Sequence, residues 1–254
     1  MSGHSKWANI KHTKAKKDAE RGNLFSKLAR EIIVAARHGG GNLEGNARLR
    51  LAVEKARDAN MPADNITRLI KRGTGELEGV TYEELTYEGY GPGGVAILLD
   101  VVTDNRNRTA SELRFLFSRH GGNLGETGCV SWMFSKKGYI SIDRAAAGAA
   151  GKDEDALLML ALEAGAEDFQ SDEDSYEVIT APDELEDVRQ ALRAAGIQPE
   201  VAEVTMVPQS TVEVRGKEAE QVLRLMDALS DHDDVQKAYA NFDIPADEMH
   251  RLAG

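Results

Sequence analysis

This chain of 254 residues has one cysteine, six prolines, few aromatics (6%) and no long apolar run. A lone Cys129 excludes an internal disulfide framework and fits a reducing compartment, where a small buried hydrophobe is its expected role. The apolar run at residues 95–99 is closed by Asp100, far short of the roughly 20 residues that cross a bilayer. The N-terminus carries charge but no apolar h-region, so no secretory signal is expected and the reading is cytoplasmic, with no membrane partner. Equally missing are GxxxxGK[ST], GxSxG, HExxH, CxxC and EF-hand patterns. The six histidines (His4, His12, His38, His120, His232, His250) show no metal-ligand spacing, and "HDD" at residues 232–234 reads as a solvated helix end. The expectation is therefore no enzyme, no metal and no cofactor. With 41% hydrophobic and 29% charged residues, the chain reads as soluble and globular rather than disordered.

What is present is an uneven charge. The formal net charge is -12, yet residues 1–75 hold sixteen Lys and Arg against seven Asp and Glu, a net +9, which leaves -21 for the remainder. Sign asymmetry of this size points to a polyanion partner for the basic end. The cations crowd into "SKWANIKHTKAKKDAERG" at residues 5–22, where Lys6, Lys11, Lys14, Lys16, Lys17 and Arg21 face only Asp18 and Glu20. Ammonium groups beside a phosphate backbone release counterions; six contacts give a log K against log salt slope of about -5 on duplex DNA and about -4 on single strands. Trp7 sits among them and is suited either to stacking on an unpaired base or to packing on the first helix.

After this arm the apolar spacing predicts three helices. Phe25, Leu28, Ile32 and Ala35 or Ala36 mark the first, with Asn23 as N-cap and Gly39 as stop; Leu49, Ala52, Val53 and Ala56 mark the second. The third, "NITRLIKR", follows the turn "NMPAD", with Pro62 at its entrance and Asp64 as N-cap. Its Ile66, Leu69 and Ile70 face inward, leaving Arg68, Arg72 and, beside them, Lys71 on the outer stripe. Helix, short turn, short cationic helix is the outline of a helix-turn-helix, an outline shared with many small bundles. Beyond it the periodicity alternates between strand and helix. Residues from about 138 to 207 give βαββαβ, a ferredoxin-like unit, and the flanking pieces make a second such unit around it. The fold class is thus α+β: a basic arm (1–22), a helical bundle (23–78), an α/β domain split in two (79–135 and 208–245) and an inserted α/β domain (136–207). "CVSWMF" and "GYISID" read as two strands, and Thr109 with Glu112 as a capping box.

Two loops invite a phosphate. "EGYGPGG" (88–94) is followed by a strand, so it lacks the helix dipole that makes glycine loops bind anions, and a tight turn is its expected role. "TDNRNRT" (103–109) instead puts Arg106 and Arg108 at a helix N-terminus, which disfavours cations. Either an anion site built from both arginines and the helix amides, or salt bridges to Asp104 or Glu112, accounts for them.

"MSGHSKWANIKH", "NMPADNITRLIKRGTG", "YEGYGPGGVAIL", "TDNRNRTASELR" and "GGNLGETGCVSWMF", in this order, resemble the YebC/PmpR family. The resemblance covers essentially the whole chain. It implies three domains with one α/β domain inserted in another, a cytoplasmic DNA-binding transcriptional regulator without enzymatic activity, and kinship to translational activators and ribosome-linked proteins. The partner is then DNA, or ribosomal or messenger RNA. The acidic α/β part offers a further surface for a ribosome or protein partner.

Overall fold

A computed structural model describes residues 19–151, 153–171, 175–245, 248 and 251. Lys6, Trp7, Lys11, Lys14, Lys16 and Lys17, and the side chain of Arg21, lie outside the described residues.

Three helices open the described chain: α1 (Ala19–Gly39), α2 (Ala47–Asp58) and α3 (Ala63–Gly73). Leu28, Ile32, Ala35, Ala36, Leu49, Ala52, Val53, Ala56, Met61 and Ile66 form their common core, in which α2 and α3 pack on α1 more than on each other. Helices at this distance need a gap in one surface, and Gly73 supplies it. A Cβ there would lie 2.5 Å from the Ile33 carbonyl oxygen and 2.6 Å from the Ala36 Cβ. Two caps differ from expectation. α1 begins no later than Ala19, because Ala19, Glu20 and Arg21 are good helix formers, so Asn23 is inside the helix. Pro62 holds the N-cap position of α3, and Asp64 sits in the first turn, where its charge still favours the dipole. α2 is capped by Asn46, whose Oδ1 accepts from the Leu49 amide at 3.0 Å.

The first sheet has the order β3-β1-β2-β9, all neighbours antiparallel: β1 (Glu83–Tyr90), β2 (Ala96–Thr103), β3 (Asn123–Leu124) and β9 (Val235–Ala240). β1 and β2 are joined by a 3-10 turn over Pro92–Gly94, where Gly93 and Gly94 take φ of 69° and 77°, so "EGYGPGG" is the tight turn expected. Helix α4 (Arg106–Arg119) follows β2, and α8 (Gly216–Asp231) precedes β9. Ile97, Leu99 and Val101 of β2 meet Leu113 and Phe117 of α4 and Val222, Leu225, Met226 and Leu229 of α8. The ferredoxin-like order would place the third strand of the repeat between the first and second; β1 fills that place here. The strand expected there, β8 (Val212–Glu213), leaves the sheet to pair in parallel with β10 (Phe242–Asp243). A local hairpin closes with less entropy loss than a strand returning from beyond an insertion.

The second sheet, order β5-β6-β4-β7, lies between β3 and β8 in the chain. It holds β4 (Phe134–Asp143), the short α5 (Arg144–Ala149), α6 (Glu154–Glu163), β5 (Ala166–Ser171), β6 (Ser175–Thr180), α7 (Leu185–Ala194) and β7 (Val201–Pro208). This is the ferredoxin-like order, and Ile140, Ile142, Val178, Leu157, Val188 and Leu192 fill the space between sheet and helices. "CVSWMF" and "GYISID" are not two strands: β4 runs unbroken from Phe134, and Ser131–Met133 is a 3-10 turn. The two sheets meet through Ala96, Leu98, Val130, Phe134 and Tyr239.

Candidate nucleic-acid interface

The outer stripe of α3 is where the sequence places it. Arg68, Lys71 and Arg72 are exposed, and none of the three forms an ion pair among the described residues. The Arg72 stem lies along Gly79, and the guanidinium borders a groove of about 570 Å³ shared with Arg37 at the end of α1. Arg37 donates to Thr81 Oγ1 at 3.3 Å across it. Lys71 and Arg72 close α3 as Arg37 closes α1, the end at which a helix dipole favours cations.

α1 is also the strut that fixes this stripe to the sheets. Asn23, Lys27 and Arg30 share one face of it, and all three reach the C-terminal end of α8 and the loop after it. Asn23 Nδ2 donates to the Asp231 carbonyl at 2.6 Å, Lys27 Nζ to the Ser230 carbonyl at 2.5 Å, and Arg30 Nη1 to the Asp233 carbonyl. Carbonyls left over at a helix end are natural acceptors for such donors.

At the centre of this junction is Asp234, 3% exposed at its side chain. Its Oδ2 accepts from Thr109 Oγ1 at 2.6 Å, Arg108 Nη2 at 2.9 Å and Thr103 Oγ1 at 3.2 Å, while Oδ1 lies 3.2 Å from Arg30 Nη2. Burial works to raise its pKa, but the hydroxyl of Thr109 and the guanidiniums of Arg108 and Arg30 outweigh it and hold the carboxyl below its ordinary range. The sequence reading of "HDD" as a solvated helix end is corrected here: Asp234 is buried because it neutralises two arginines. Arg108 is thereby placed as well. It also meets Asp104 at 2.8 Å, so its partners are this chain's own carboxylates. Arg106 is exposed, and its carbonyl accepts from Tyr87 OH at 3.2 Å. Arg106 takes part in none of the ion pairs that hold Arg108. Nor is Thr109 a cap: Asn105 is the N-cap, its Oδ1 accepting from the Arg108 amide at 3.1 Å, and Thr109 is inside the helix.

Glu112, His232 and Asp234 converge closely enough to suggest a metal. Their bonding does not suit one. His232 Nδ1 accepts from the Asp234 amide at 3.1 Å, Nε2 is 2.9 Å from Glu112 Oε2, and the Asp234 oxygens are committed to hydroxyls and guanidiniums.

A second buried carboxylate shapes the loop before β4. Glu88, 3% exposed, accepts the amides of Gly128 at 2.6 Å and of Val130 and Ser131 at 2.7 Å each. Burial alone would raise its pKa; the three amides more than compensate and lower it. They also keep "CVSWMF" from entering the sheet. The nearby Cys129 thiol is pushed up by burial and by the Glu88 charge, as suits a packing residue. A carboxylate depressed in the folded state contributes stability that is full above its unfolded pKa, about 4.3, and is lost as pH falls through the folded value. Glu88→Gln is expected to cost about 2–3 kcal/mol at neutral pH and to flatten the acid limb, read from urea midpoints between pH 7 and 3.

Fold and junction together define a mixed α/β protein in which a helical unit with a cationic outer stripe is latched to two antiparallel sheets; no helix among the described residues is long and apolar enough to cross a membrane. Residues 5–76 match the TACO1/YebC protein N-terminal domain, and residues 82–242 the TACO1/YebC second and third domain. The chain belongs to the TACO1/YebC family. It is 60% identical over 253 residues, all of both chains, to a probable transcriptional regulatory protein of Dictyoglomus turgidum. It is 61% identical to one of Natranaerobius thermophilus, covering 96% of this chain and 97% of that one. A crystal structure of a conserved hypothetical protein from Aquifex aeolicus is similar at a TM-score of 0.76 and 53% identity, covering 93% of this chain and 96% of the other.

Sequence reasoning had no handle on Arg30 and Glu88, and it read Asp234 only as part of a solvated helix end. Each is an ordinary charged residue whose partner lies far along the chain, and 204 positions separate Arg30 from Asp234.

Proposed function

We propose that the chain is a non-enzymatic, cytoplasmic regulator of gene expression that holds a nucleic acid through its lysine-rich N-terminal segment and the α3 stripe. The observation that carries this reading is the charge partition, +9 in residues 1–75 and -21 beyond, with Arg68, Lys71 and Arg72 exposed on one helix. The names of the relatives support a role in transcription. Lys6, Lys11, Lys14, Lys16, Lys17 and Arg21 contact phosphates, and Trp7 stacks on a base where one is unpaired. Phosphate contact is common to DNA and RNA, and the RNA reading needs only the basic segment, a shaped surface and a base stacked on Trp7. The test is to crosslink the protein in cells and sequence what it contacts. Discrete promoter sites support the DNA reading, and dominant ribosomal or messenger RNA the other. Recovery of neither, with no salt-dependent binding in dilute buffer, overturns both.

A further inference from the structure

Residues 74–81, which join α3 to β1, border a groove of about 570 Å³ together with the last turns of α1 and α3. Its charged lining is two arginines, Arg37 and Arg72, and one carboxylate, Glu78. Neither arginine forms an ion pair among the described residues, with Glu78 or with any other carboxylate. Each guanidinium carries five N–H donors. Arg37 gives one to Thr81 Oγ1 at 3.3 Å, and Arg72 gives none to a group among the described residues.

Helix dipoles explain why cations end α1 and α3, but not the open space that the two arginines share. Two further features mark that space as a binding site. Leu77 and Val80, both exposed, give it an apolar wall. Glu78, Gly79, Val80 and Thr81 also line it, and their backbone amides donate to nothing among the described residues. The volume falls within the range of small-molecule sites, roughly 300–1,000 Å³, and exceeds what a bare phosphate fills. Guanidinium forks, available amides and an apolar wall in one groove suit an anion that carries a flat, largely apolar body.

We propose that this groove holds one nucleotide of a bound single strand, its phosphate on Arg37 and Arg72 and its base against Leu77 and Val80. The inference rests on the proposed function and deepens it. Arg37, on α1, joins the contact surface, and Arg72 belongs to the groove as well as to the α3 stripe. Arg68 and Lys71 do not line the groove, so they meet only the backbone that runs past it. Glu78 opposes the phosphate and leaves the lining with a single net positive charge, so the groove adds to a grip that the neighbouring cations begin.

The full chain and a uridine dodecamer carrying one 4-thiouridine test this at about 50 mM salt. Irradiation should crosslink the base to residues 77–81, as mapped by mass spectrometry, and Arg37→Gln/Arg72→Gln should abolish that crosslink. Each single variant should weaken binding about thirtyfold, the scale of a hydrogen bond to a charged group. Arg68→Gln, outside the groove, should weaken it only about fourfold, as loss of one counterion-releasing contact. Glu78→Gln should tighten it about twofold by removing the opposing charge. Strand binding without crosslinks to residues 77–81, or an Arg37→Gln variant that binds as well as Arg68→Gln, overturns the groove and leaves the regulatory reading standing. A second arm follows the amide resonances of the 15N-labelled protein with uridine 5′-monophosphate. Shifts at residues 79–81, with no binding of the dodecamer or of a duplex, would make a free nucleotide the occupant and overturn both the strand and the regulatory reading. No shifts and no polynucleotide binding overturn the groove and that reading together.

Discussion

Asp234→Ala should lower the free energy of unfolding by about 3 kcal/mol, the low end of the range for removing one partner of a buried ion pair. The low end applies because the two arginines have different escapes. Arg108 is 42% exposed at its side chain and already holds Asp104, whereas Arg30 is 15% exposed and keeps the Asp233 carbonyl and the face of the Tyr82 ring, 5.9 Å away. The hydroxyls of Thr103 and Thr109 lose their shared acceptor in the same step and retain each other at 2.8 Å. Asp234→Asn keeps the shape and one acceptor oxygen, so about half the loss is expected. Asp104→Ala, a half-exposed pair, should cost no more than about 0.5 kcal/mol. The pH dependence has a definite sign. Asp234 is depressed in the folded state, so its contribution is complete above the unfolded value of about 3.9 and disappears as pH falls through the folded one. Urea titration of the three variants at pH 7 and pH 4 separates these effects. An Asp234→Ala variant no weaker than Asp104→Ala would show that the latch does not hold α1 to α8.

What the sequence made legible was whatever repeats locally. The three helices, the closing turn at Pro92–Gly94 and the βαββαβ order of the second sheet follow from periodicity and from glycine, and the structure shows all of them. The strand β1, "EELTYEGY", was invisible because its acidic and glycine residues belie a strand; it forms because β2 offers a full antiparallel register from Glu83↔Thr103 to Tyr90↔Ala96. Caps misled where two candidates stood close together. Thr109 and Asn105 both suit an N-cap, and the choice was made by Asp234, 125 residues downstream of Thr109, which takes the threonine hydroxyl for itself. Arg106 and Arg108 could not be told apart by spacing, and only the fold shows that one of them faces two carboxylates. The charge partition needed no fold to be seen. It speaks of an encounter with a polyanion rather than of a pairing within the core.

Deleting residues 2–17 should have the larger functional effect. The cut removes Lys6, Lys11, Lys14, Lys16 and Lys17 and leaves Asn23, Lys27 and Arg30 on α8, so the latch and the helical core stay as they are. If all nine proposed cations contact phosphates, the log K against log salt slope on duplex DNA is about -8, and with four remaining it is about -4; on single strands the corresponding values are about -6 and -3. Between 50 and 200 mM salt the intact chain should then lose about 10⁵ in duplex affinity and the shortened one only about 10². At 50 mM the shortened chain should bind at least about a thousandfold more weakly, because five counterion-releasing contacts are gone. Arg68→Ala gives the contrast. It should reduce the slope by about one unit if the guanidinium rests on a phosphate, and cost about 1–3 kcal/mol at one base position if it reads a guanine. Filter binding across salt concentrations, with circular dichroism to show that the shortened chain keeps its helices, measures each of these. A deletion that leaves the slope unchanged would move the polyanion surface away from the N-terminal segment altogether.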